Sequence, residues 1–167
     1  MPMTELETLL LKDLGESCTA VLGTEGTVGD GGTSSDDSLV AVVGFSGSHI
    51  RGAVGVRLPM SVAHATHPMG DEVGRDDVSE LGDWTAEVSN QLLGGIKARL
   101  SPRGYDVWCS TPVVLRGVRL QFVGETVARV MDLPEGQGVA WVQVAWAEEV
   151  DSPEGEDVMM PGEMMMF

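Results

Sequence analysis

SELGDWTAEVSNQLLGGIKARL, residues 79–100, is the stretch whose reading decides the fold. Laid out at about 100° per residue with Leu81 at zero, Val78, Trp84, Thr85, Val88, Leu92 and Ile96 all fall within roughly 60° of zero. Leu93 and Leu100 widen that stripe to one side. Asp83, Glu87, Asn90 and Gly94 fall near roughly 180–240°, almost opposite. The spacing therefore predicts a long amphipathic helix with one face in a core and a polar quartet looking outward. Glu87 and Asn90 sit three residues apart, so their side chains are neighbours on that outward face. Gly94 and Gly95 form a pair beside them, and glycine inside a helix costs about 1 kcal/mol against alanine. Two readings of the pair stand side by side: room for another molecule to approach, or a fit against a neighbouring strand of the same chain.

Outward from this helix, the chain divides into a short series of elements. Residues 3–22 have helical spacing of leucines. Residues 23–38, GTEGTVGDGGTSSDDS, lack a core-forming pattern and read as a long mobile loop. LVAVVGFS (39–46) and IRGAVGVRLP (50–59) are apolar β runs around a Gly-Ser turn, hence a hairpin. A short helix over 61–68 ends at Pro68. A loop follows over 70–77, with Asp76 or Asp77 placed to cap the long helix. Ser101-Pro102-Arg103-Gly104 stops that helix. YDVWCS, TPVVLRG, VRLQFVGETVARVMDL and GVAWVQVAWAE are further β runs. The order α–ββ–α–α–ββββ predicts an α+β fold, with one antiparallel sheet and both long helices on one face. Residues 1–150 form the expected domain. Residues 151–167, DSPEGEDVMMPGEMMMF, read as a disordered acidic, Met-rich tail.

Composition narrows the function classes. The 167 residues carry 26 acidic and 10 basic side chains, a net charge of −16. So acidic a chain lacks the positive surface that nucleic acid or an anionic membrane requires. No stretch has the apolar length of a membrane span, and the N-terminus lacks a signal pattern, so a cytoplasmic protein is expected. Cys18 and Cys109 are expected to be free, buried thiols. His64 and His67 have helical spacing but no evident third ligand, and structural roles are favoured over a metal site. The glycines of 23–32 lack a Lys-Ser/Thr ending and a preceding strand, so they are no phosphate loop. All four tryptophans, at 84, 108, 141 and 146, are expected to pack in the core.

Taken in order, three features resemble the CheX-like members of the CheC/CheX/FliY chemotaxis phosphatase family. They are the hairpin VVGFSGSHIRGAVGVRLP, the helix pattern D-x-x-x-E-x-x-N continuing into G-G-x-K-x-x-L, and the later S-T-P-V-V-x-x-G. The matching positions are Asp83, Glu87, Asn90 and Pro112. A single Glu/Asn pair points to the CheX rather than the CheC type: Glu125 is followed three residues on by Ala128, and neither Glu7 nor Glu16 has an asparagine at that distance. Three departures stand out: a slightly short spacing from Asn90 to Pro112, a long 23–38 loop, and the Met-rich tail.

The resemblance implies dephosphorylation of the aspartyl phosphate on a CheY-like response regulator. Asn90 would orient the attacking water, and Glu87 would pair with the regulator's active-site lysine. Asp83 and Gly94 would belong to the partner-binding surface. It implies no cofactor in this chain, the Mg²⁺ residing in the regulator. It also implies a homodimer joined through the sheets, since unpaired strand edges make pairing easy. The competing expectation is a non-catalytic CheX-like module that binds a response regulator or a flagellar-switch component.

Overall fold

The computed structural model describes residues 3–31, 35–119, 128–133 and 138–147. Helix α1 spans Met3–Leu22 and is followed by strand β1, Thr27–Gly29. Strands β2 (Ser38–Gly47) and β3 (Ile50–Pro59) form the hairpin. Helix α2 (Met60–Thr66) leads to α3 (Val78–Leu100). Strands β4 (Val107–Cys109), β5 (Val113–Gly117), β6 (Ala128–Leu133) and β7 (Gly138–Trp146) complete the set.

The strands form one sheet ordered β1-β6-β7-β3-β2, and every pairing is antiparallel. The far edge of β2 is shared. β4 pairs with Phe45–Gly47, and β5 pairs with Ser38–Val42. The β2–β3 register sets Leu39 opposite Leu58, Ala41 opposite Val56, and Val43 opposite Val54. Because side chains alternate along a strand, these all face the same way. Ala140, Val142 and Val144 of β7 join them, and α1 and α3 close over this face. Leu6, Leu10, Leu14, Leu81, Val88, Leu92, Leu93 and Ile96 complete the core. Each such fully buried side chain contributes about 1.5–3 kcal/mol relative to exposure. The α+β architecture with both long helices on one side of an antiparallel sheet is as the sequence predicts.

Three expectations need correction. The 23–38 segment is not structureless: residues 27–29 form β1 against β6, and Arg57 Nη2 donates to the Gly31 carbonyl at 3.2 Å. At the other end of the segment, Asp37 binds the Arg116 guanidinium. Three residues are too short a strand to show a period, so the pairing had no signature in the sequence. Second, the tryptophans are not all core: Trp108 is 71% exposed and Trp146 40%. Among the described residues, helices cover only one face of this sheet, and Trp108 sits on β4, at an edge, opposite exposed Ser46. Third, Cys18 is buried but Cys109 is exposed, for the same reason of edge position. Burial pushes the Cys18 thiol up to about 12, so it stays protonated and inert. The tail, 151–167, lies outside the described residues. Among the described residues, no helix is long and apolar enough to cross a membrane.

Candidate functional site on helix α3

Both ends of α3 are fixed by local chemistry. Asp77 is the N-cap, its Oδ1 accepting from the Glu80 N–H at 3.1 Å, which satisfies one of the helix's open donors. At the other end, Ser101–Arg103 tighten into a 3₁₀ turn and Gly104 adopts φ 84°. That left-handed conformation is inexpensive only for glycine. The Tyr105 N–H then closes onto the Leu100 carbonyl at 3.2 Å.

Between these ends the helix divides as its sequence indicates. Leu81, Thr85, Val88, Leu92, Leu93, Ile96 and Leu100 are buried. Asp83, Glu87, Asn90, Gln91 and Gly94 are all exposed. At 1.5 Å per residue, Asp83 to Gly94 is a polar strip about 16 Å long. Gln91 Nε2 donates to Glu87 Oε1 at 2.8 Å. Sequence reasoning passed over Gln91, although its place four residues after Glu87 is the spacing at which such side chains meet.

The neighbouring elements brace the strip without covering it. β5, which follows Pro112, lies beneath the N-terminal half of α3, where Val114 comes within ordinary contact of the space beside Gly82. Trp84 Nε1 donates to Thr66 Oγ1 at 3.0 Å, and its ring meets His67 edge-on at 5.7 Å, tying α2 to α3. His64 Nε2 lies 3.0 Å from the Val73 carbonyl, and His67 Nδ1 accepts from the Met69 N–H. Both histidines thus hold the 66–73 turn. Among the described residues, no group of three His, Cys, Asp or Glu side chains is placed to hold a metal.

The two glycines separate cleanly. A Cβ at Gly95 would collide with Ser17 Oγ of α1, so Gly95 is where the two long helices meet. A Cβ at Gly94 would have nothing within 4 Å. The fit within the chain therefore explains Gly95, against a helix, and leaves Gly94 open. Around Gly95 lies an ionic clasp. Asp13 of α1 is 2% exposed and faces Arg99 at 3.7 Å and Arg103 at 3.8 Å. Burial raises the Asp13 carboxyl above its usual range, and the two arginines offset only part of that.

A family model described as chemotaxis phosphatase CheX matches residues 39–129, more than half of the chain. The chain belongs to this family, within the CheC/CheX/FliY chemotaxis phosphatase superfamily. Its structure is similar to CheX of Vibrio vulnificus, with TM-score 0.64 and 20% identity over 83% of this chain and 93% of that one. CheX of Desulfovibrio desulfuricans gives TM-score 0.62 and 19% identity over 86% and 99%. CheX from the Borrelia burgdorferi CheX–CheY–BeF₃–Mg²⁺ complex gives 0.58 and 21% over 83% and 96%. At such identities the likeness establishes the fold. Among curated proteins, none matches.

Proposed function

We propose that this protein is a phosphatase acting on the aspartyl phosphate of a CheY-like response regulator. The observation that carries the reading is the bare strip Asp83–Glu87–Asn90–Gly94 on a helix whose other face packs into the core, in a chain of the CheX family. A CheX of the same fold has been crystallised with CheY carrying BeF₃ and Mg²⁺. There BeF₃ stands in for the phosphoryl group, its fluorides taking the place of the phosphoryl oxygens.

The residue types suit phosphoryl transfer, which asks mainly for positioning and charge stabilisation. The Asn90 carboxamide is neutral, and it both accepts and donates hydrogen bonds. It cannot act as a base. Its contribution is to hold a water in line with phosphorus, converting a random encounter into an oriented one. Glu87 supplies the carboxylate for the regulator's active-site lysine, a charge-assisted bond that fixes the helix over the phosphoryl group. The Mg²⁺ belongs to the regulator, where it spreads the charge of the phosphoryl oxygens. Asp83 and Gly94 lie at either end of the docking strip, and Gly94 admits the partner's backbone.

A charge of −16 opposes approach to an acidic regulator site, so affinity comes from short-range contacts and is weak until the regulator is phosphorylated and metal-loaded. The chain acts as a homodimer through its sheet. Supporting this, Val113 and Leu115 on edge strand β5 are 60% and 58% exposed.

Single-turnover decay of phosphorylated regulator, with wild type, Glu87→Ala and Asn90→Ala, tests the reading. Wild type accelerates decay. Asn90→Ala abolishes the acceleration while still binding the BeF₃–Mg²⁺ regulator, and Glu87→Ala weakens binding. Binding without acceleration by wild type would instead identify a sequestering module.

A further inference from the structure

Glu87 has two amide neighbours on its own face of α3: Asn90, three residues on, and Gln91, four on. Either can donate an N–H to the carboxylate. The structure holds the second arrangement, with Gln91 Nε2 on Glu87 Oε1 at 2.8 Å. The Asn90 side chain makes no hydrogen bond to any described residue. We infer that Gln91 is a positioning residue that holds Glu87 away from Asn90, keeping the carboxamide open for water and one carboxylate oxygen open for a cation. This rests on the roles given to Glu87 and Asn90 above.

The geometry explains why the choice matters. On the helical projection Gln91 lies about 40° to one side of Glu87 and Asn90 about 60° to the other. If Glu87 turned to Asn90, both groups would be spent on each other. The carboxylate would lie across the strip and an amide N–H would be occupied. Helical side chains lean toward the N-terminus, so Gln91 naturally reaches back over Glu87. Asp83, four residues before Glu87, carries the same charge and disfavours a carboxylate leaning its way. Glutamine also holds the carboxylate without neutralising it, which a lysine at the same position would do.

The isolated ¹⁵N-labelled chain provides a test that needs no activity. As pH is lowered to protonate Glu87, the Gln91 side-chain amide resonances move in wild type and those of Asn90 stay still. In Gln91→Ala the Asn90 amide takes over that titration. With the BeF₃–Mg²⁺ regulator, Gln91→Ala and the equally long Gln91→Met each lower affinity about twofold, the size of one exposed i,i+4 contact. Gln91→Lys restores a donor but brings a competing cation, and lowers affinity on the order of tenfold. Urea midpoints of all three stay at the wild-type value, because Gln91 is exposed.

The inference is overturned if the Asn90 amide already follows Glu87 in wild type, or ignores it in Gln91→Ala. An Asn90→Ala variant that accelerates decay as well as wild type would instead remove the phosphatase reading, and the resonances would still decide the role of Gln91.

Discussion

Gly94 and Gly95 are adjacent in sequence and opposite in circumstance. Gly95 lies against Ser17, in the seam where α1 and α3 touch, beside the Asp13–Arg99–Arg103 clasp. Gly94 lies on the exposed strip with empty space where a methyl group would go. Folding alone would prefer alanine at Gly94 and disfavour it at Gly95. One side of α3 is thus shaped by the chain's own packing. The other carries a residue that the isolated fold has no use for, and a glycine that costs stability without serving packing fits a surface shaped by something outside the chain.

The contrast can be broken by substitutions on either side. The largest effect is expected at Asn90→Ala. Decay of the phosphorylated regulator should slow by about a hundredfold or more relative to wild type, as when a reactant loses its orientation. Stability should change by less than about 0.5 kcal/mol, because the site is exposed. Stopped-flow decay and urea denaturation read the two quantities, and a large loss of stability would mean that the strip is structural after all.

Next is Gly95→Ala. Overpacking against Ser17 should cost about 1–3 kcal/mol, partly offset by about 1 kcal/mol of helix propensity. Adding Ser17→Ala should recover stability, and the double-mutant cycle in urea isolates that coupling. Additive effects would show that the seam yields elsewhere.

Gly94→Ala should move the other way, raising stability by up to about 1 kcal/mol. It should weaken binding to the BeF₃–Mg²⁺ regulator, read by titration calorimetry. A variant that is more stable and binds as well as wild type would remove Gly94 from the docking surface.

The smallest effect concerns pH. The carboxyl of Asp13 is raised in the folded state, so the folded chain holds that proton more tightly than the unfolded chain. Stability therefore falls as pH rises through the window above the ordinary carboxylate value, and acidification into that window relieves the cost. Arg103, Arg99 and Lys12 face the same carboxyl and limit the effect, while the Glu16 carboxylate adds to it. Asp13→Asn should be at least as stable as wild type at pH 7, with the difference shrinking toward pH 4. A strongly destabilised variant at pH 7 would show that the arginine pairs outweigh burial. Sedimentation offers a separate test of the assembly: a sole 17.7 kDa species would remove the homodimer.

Much of this was legible beforehand, for identifiable reasons. The long helix and its two faces follow from a sustained period of 3.6, and both ends from Asp77 and the Ser-Pro-Arg-Gly stop. The β2–β3 hairpin follows from two apolar runs around a tight turn. Strand β1 was missed because three residues carry no period. Trp108 and Cys109 were misjudged because the sequence does not say which strand stands at an edge. The Asp13 clasp was invisible because its members lie more than eighty residues apart, and only the α1–α3 crossing brings them together.

By itself the sequence determined the class of fold, the outward placing of Asp83, Glu87, Asn90 and Gly94, and the family, since periodicity and local motifs are written along the chain. Tertiary structure alone decided which glycine serves packing. It also decided which face of the sheet the two long helices cover, and which amide holds Glu87. Those depend on what lies across from a residue, in another element or one helical turn away, and on the single rotamer chosen among several that spacing permits.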